Sequence, residues 1–126
     1  MVEVTASNVK FSAYRADPEG APKGAVVVLQ DVYGVNSDIL QIADGFAAAG
    51  YVAIAPSLFD KVKSDIELDA AATDEGKALT EEVGTDWSLE AIQATVDTVK
   101  DAGKVALVGY AWGGFLAYTA ANKVKG

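Results

Sequence analysis

Six residues, Gly109-Tyr110-Ala111-Trp112-Gly113-Gly114, have the spacing of a reactive turn. Gly109 and Gly113 stand two positions either side of Ala111, the layout of a G-x-Nuc-x-G elbow. In such an elbow a sharp strand-to-helix turn holds its central side chain above a sheet. The N-terminus of the helix that follows favours negative charge there. Ala111 has no nucleophilic atom, however, and the same residues also suit a plain glycine-rich turn that packs helix against sheet. A second segment, Leu29-Gln30-Asp31-Val32-Tyr33-Gly34-Val35-Asn36, again follows an apolar run. Asp31 there is either a carboxylate at a binding rim or a solvated, helix-capping acid. In open α/β sheets ligands bind beyond the C-terminal ends of the strands, which would bring both segments to one rim.

Composition removes several chemistries. The 126 residues contain neither Cys nor His. Disulfides, thiolate nucleophiles and Cys-based metal sites are therefore excluded. So are the commonest general base near neutral pH and the commonest zinc ligand. No metal or cofactor is expected, and no Ser-His-Asp or Cys-His-Asp triad can be assembled from these residues alone. The formal net charge of −8 argues against nucleic acid and anionic membrane as partners. No stretch approaches the roughly 20 apolar residues of a membrane span, and Met1 to Thr5 lack the basic flank and apolar run of a signal peptide. A cytoplasmic protein is the expectation. The length suits one domain, residues 1–126, and 51% apolar residues suffice for a packed core.

The elements that would position the two segments are legible in the pattern. Val2 to Ala13 contains one or two half-buried strands at a sheet edge, with Val9-Lys10-Phe11-Ser12-Ala13 alternating at period two. After turn residues between Asp17 and Gly24, Ala25-Val26-Val27-Val28-Leu29 is an unbroken run of the kind covered on both faces. Asn36-Ser37-Asp38 can open a helix. Its stripe is Ile39, Ile42, Ala43, Phe46 and Ala47, and Gly50 supplies the stop. Tyr51 to Pro56 is the next strand. Residues 57–84 are less regular, with helix propensity in Leu68 to Ala72 and Lys77 to Val83. Thr85 is expected to cap a helix with the stripe Leu89, Ile92, Val96 and Val99, closed by Gly103. Lys104 to Gly109 is a third buried strand, and Phe115 to Val124 a last helix. This alternation predicts a three-layer α/β/α domain with a mostly parallel sheet.

Several segments together resemble the dienelactone hydrolase family, a branch of the α/β-hydrolases. They are Val26 to Asn36, Ile42-Ala43-Asp44, Ala49 to Ala53, Ala55-Pro56-Ser57-Leu58-Phe59 and Gly103 to Gly114. The similarity covers roughly residues 8–123. It implies a truncated α/β-hydrolase fold and hydrolysis of a carboxylic ester or lactone through a Cys-His-Asp triad. By resemblance, Ala111 stands at the nucleophile position, and Asp31 where the family has a glutamate that pairs with the resting cysteine. The backbone N–H groups of Val32 and Trp112 match the oxyanion hole, and Gly109, Gly113 and Gly114 are the elbow glycines. Ser57 stands where Asp is common, and Lys61 near a frequent Arg. The family's acid and histidine come from a C-terminal half that these residues do not include. The expectation is thus a first half of a hydrolase, inactive by itself. It would be a fragment of a nucleophile-replaced protein, a shortened relative or one chain of a split protein. The alternative is a non-catalytic binding or interaction module on the same half-fold. Without further strands Lys104 to Val108 becomes an apolar edge. That predicts a homodimer through Val105, Leu107 and Phe115, or pairing with the absent half.

Overall fold

The computed structural model describes residues 2–30, 34–62, 73–109 and 116. The chain opens with a hairpin: β1 (Val2–Ala6) pairs antiparallel with β2 (Val9–Ala16). Ser7 and Asn8 join them with φ of 48° and 65°, the positive-φ two-residue turn that matches strand twist. The alternating pattern buries Val4, Ala6, Phe11 and Ala13 on one face. β3 (Ala25–Leu29) and β4 (Val52–Pro56) are buried at every position, as unbroken apolar runs require. β5 (Val105–Gly109) completes a sheet of order β1-β2-β4-β3-β5. β4, β3 and β5 are mutually parallel, while β2 runs against β4 and β1.

Helices cover both faces. α1 (Ser37–Ala48) lies on the side of Val26, Val28, Ala53 and Ala55, into which it sends Ile39 and Ala43. The Tyr14 hydroxyl, from β2, donates to Asp44 Oδ1 of α1 at 2.6 Å. That hydrogen bond, with burial and the carboxylate charge behind it, holds the phenol above its ordinary 10.0. The opposite side, with Ala25, Val27, Leu29 and Ile54, is closed by α2 (Thr73–Val83) and α3 (Thr85–Val99). Two 3-10 turns, Leu58–Lys61 and Lys100–Ala102, follow β4 and α3. The layers are those expected of an α/β/α domain. Among the described residues no helix is long and apolar enough to cross a membrane.

Two details of α3 differ from the sequence reading. Its N-cap is Gly84, not Thr85, which is already helical. α2 and α3 are separated by that single residue. The chain must reverse there at φ 79°, a conformation open to Gly and costly for Thr. The buried stripe is also shifted: Trp87, Ser88, Ala91, Ile92, Thr95, Val96 and Val99 face inward, and Leu89 is only partly buried. Ser88 and Thr95 tolerate burial because their hydroxyls donate to the carbonyls of Gly84 and Ala91, each at 2.7 Å. The helix expected over Phe115 to Val124 lies outside the described residues except for Leu116, which is helical and fully buried. Leu68 to Ala72 lies outside them as well.

Candidate functional site

The geometry of the candidate rim is set by one pairing. Leu29, the last residue of β3, is the register partner of Gly109, the last of β5. β3 and β5 therefore end side by side, on the side where parallel α/β sheets bind ligands. Of the site residues expected from sequence, Gly109 is described and is partly buried at that end. Asp31, Val32, Ala111, Trp112, Gly113 and Gly114 lie outside the described residues.

Both ends of segment 31–33 are fixed. On one side Gln30 is fully buried, and its Oε1 accepts the Leu58 N–H at 2.9 Å. On the other, Gly34 takes φ 89°, its carbonyl accepts from Asn36 N at 3.1 Å, and Asn36 then caps α1. The cap is the expected one: Asn36 Oδ1 accepts from Ile39 N at 3.2 Å. Asp38 in the first turn complements the helix dipole at this end.

The third strand end belongs to β4. Ser57 is partly buried there, its N–H donating to Ser12 O at 2.8 Å. Asp60 fastens the same turn from below, its Oδ2 accepting both Ser12 N and Ser12 Oγ at 2.8 Å. Lys61 is turned to the helices. Its ammonium donates to Val83 O at 2.8 Å and lies 5.6 Å from the centre of the Trp87 ring. The contacts of Lys61 tie the β4 turn to α2 and α3. Gln30 is the residue the sequence reading passed over. Its signal was a long polar side chain closing a run of five apolar residues, a place where burial demands a partner.

A groove of about 620 Å³ opens on the opposite rim, between Asp17, Glu19, Lys23 and the end of α1 at Ala49 and Gly50. It lies at the opposite end of the strands from Leu29, Pro56 and Gly109. Among the described residues no three His, Cys, Asp or Glu side chains converge on a possible metal position.

Known proteins share this arrangement. A family model described as the dienelactone hydrolase family matches residues 11–126. Carboxymethylenebutenolidase 1 of Cupriavidus pinatubonensis is 28% identical over 130 residues, covering 97% of this chain and 56% of the relative. The carboxymethylenebutenolidase of Pseudomonas putida is 28% identical over 124 residues, covering 90% and 51%. A dienelactone hydrolase-like promiscuous phosphotriesterase from metagenomic libraries superimposes with a TM-score of 0.68 at 22% identity, covering 95% of this chain and 52% of that one. This last likeness is one of fold. The chain spans about half the length of the curated relatives it matches.

Proposed function

Because this chain belongs to the dienelactone hydrolase family, we propose that it carries the first half of a site for hydrolysing a carboxylic ester or lactone. The observation that supports this reading is the pairing of Leu29 with Gly109, which starts the two loops side by side. The substrate carbonyl would sit between them, its oxygen on the N–H groups of Val32 and Trp112 and its carbon over position 111. Asp31 would stand beside that position as the carboxylate facing a nucleophile. With Ala at 111 and no His in these 126 residues, the chain supplies binding and oxyanion stabilisation without a nucleophile or proton shuttle. Loss of such a unit costs several powers of ten in rate. The purified chain is therefore expected to hydrolyse p-nitrophenyl acetate no faster than a heat-denatured sample. Saturable turnover would overturn the reading. On this reading Ala111→Cys would add a thiol at a helix N-terminus, which lowers thiol pKa, while Asp31 would oppose the shift by like-charge repulsion. That variant should be alkylated by iodoacetamide and still fail to turn over esters.

A second reading has its own support. β5 ends the sheet among the described strands, and Val105, Leu107 and Val108 are only partly buried while Ala106 is exposed. No charged residue falls within Val105–Gly109. Such an edge invites another strand, and a two-fold pairing of two copies would satisfy both. As a dimeric binding module the 126-residue chain would scatter light at about twice 13.0 kDa. A mass of one chain at micromolar concentration would overturn this second reading.

A further inference from the structure

The way β3 ends carries an inference about the residue that aims the loop beyond it. β3 and β4 pair in parallel, and the ladder begins where Val52 N donates to Gly24 O at 3.0 Å. The same offset recurs every second residue along a parallel ladder. The Ile54 N–H is therefore aimed at the carbonyl of residue 26, one before its register partner Val27, and Pro56, which comes next opposite the carbonyl of residue 28, has no N–H to give. Leu58 would next face the main-chain carbonyl of residue 30. The strand pairing stops earlier, at Val27 with Ile54. Yet the Leu58 N–H is not left without an acceptor: the side-chain Oε1 of Gln30 takes it at 2.9 Å.

We infer that Gln30 is a positioning residue whose side-chain amide replaces the missing rung and so fixes where the chain departs from the sheet into residues 31–33. The inference rests on the hydrolase reading for its functional meaning, since 31–33 holds the carboxylate and one oxyanion N–H of that site. Three features support it. Gln30 is fully buried, so its orientation is set by partners rather than solvent. Its partner is a fixed post, because Ser57 N and the Asp60 carboxylate tie the β4 turn to Ser12 of β2. And the bond spans 28 residues between two strand ends, whereas the buried hydroxyls of Ser88 and Thr95 bond to carbonyls four residues back along the same chain segment. A backbone rung would have kept residue 30 extended against β4. A side-chain rung holds the two strand ends together without that constraint on the main chain.

The test uses amide NMR on the 126-residue chain and a thiol titration in an Ala111→Cys background. Gln30→Leu removes the acceptor at similar volume. It should speed exchange of the Leu58 amide roughly tenfold beyond any change in global opening. The largest backbone shifts should fall at 31–33. It should also move the pH midpoint of iodoacetamide alkylation at position 111 by about half a unit, as the Asp31 carboxylate is displaced. Thr95→Val is the control, deleting a buried hydroxyl bond inside α3 and leaving both readouts in place. If Gln30→Leu fails to fold, Gln30→Asn, one methylene too short to reach Leu58, should displace 31–33 in the same direction. Shifts at 31–33 no larger than those of Thr95→Val would overturn the inference. An Ala111→Cys protein that iodoacetamide does not modify would instead count against the hydrolase reading, with the amide arm still deciding the role of Gln30.

Discussion

The sheet has two ends, and they are finished differently. β1 is a short outer strand pinned to α3: Val4 and Ala6 are buried beneath the helix, and Trp87 Nε1 donates to Ala6 O at 3.3 Å. The Ser7 hydroxyl donates to the Glu90 carboxylate of the same helix. Its outward positions carry Glu3 and Thr5, with Lys10 Nζ of β2 4.0 Å from Glu3. Charge and cover are the usual protection of a strand that faces water. β5 has neither. Its five residues are uncharged, and its apolar side chains remain half-exposed on both faces. An end built like β1 needs no neighbour, whereas an end built like β5 has room for one.

Four changes would break or sharpen that contrast. The largest effect is expected at the finished end. Trp87 is 7% exposed, meets the Phe11 ring edge-on at 5.5 Å and carries Lys61 on its face. Trp87→Ala should cost about 3–5 kcal/mol in urea unfolding. A loss below 1 kcal/mol would mean that α3 does not secure the hairpin. Gly24→Ala addresses the other end. A Cβ there would come within 2.8 Å of Lys104 O, which accepts the Ala25 N–H at 2.9 Å and starts the β3–β5 ladder. With φ at 155° as well, we expect a loss of about 1–3 kcal/mol and faster amide exchange confined to β5. Uniform exchange across the sheet would contradict a weakly held β5. Ala106→Lys places a charge on the exposed side of that strand and should weaken self-association roughly tenfold, or ~1.4 kcal/mol, in concentration-dependent light scattering. Unchanged association would move the interface elsewhere. Glu3→Ala should be the smallest, within about 0.5 kcal/mol, because its partner is 4.0 Å away and both side chains are largely solvated. A larger loss would show that the β1 edge depends on charge rather than on cover.

How far the sequence could be read followed the range of the interactions involved. The hairpin, β3, α1 with its Asn36 cap and β4 all rest on neighbours within a few residues, and all appear where the pattern puts them. The helix over Thr85–Val99 was legible in extent but not in facing. Burial of Thr95 and Ser88 depends on hydroxyl bonds that a hydrophobicity pattern does not register. Gly84 was missed as its cap because a threonine followed it, and only the abrupt α2–α3 junction shows why a positive φ was needed. Of the candidate site, the described residues show the strand end alone: β5 closes at Gly109, where the pattern puts it, while both loops beyond lie mostly outside the described residues.

By themselves, the residues determined the absence of His and Cys from these 126 positions and the order of strands and helices along the chain. Those are matters of composition and of local periodicity, carried by each segment alone. The tertiary structure alone decided the strand order β1-β2-β4-β3-β5, which sets Leu29 beside Gly109 although 80 positions separate them in the chain. It also decided that Lys61 serves Val83 and Trp87, and that the buried Gln30 side chain accepts the Leu58 N–H. The physical reason is common to all three. Each joins groups far apart in the chain, so it exists only once distant segments have packed together.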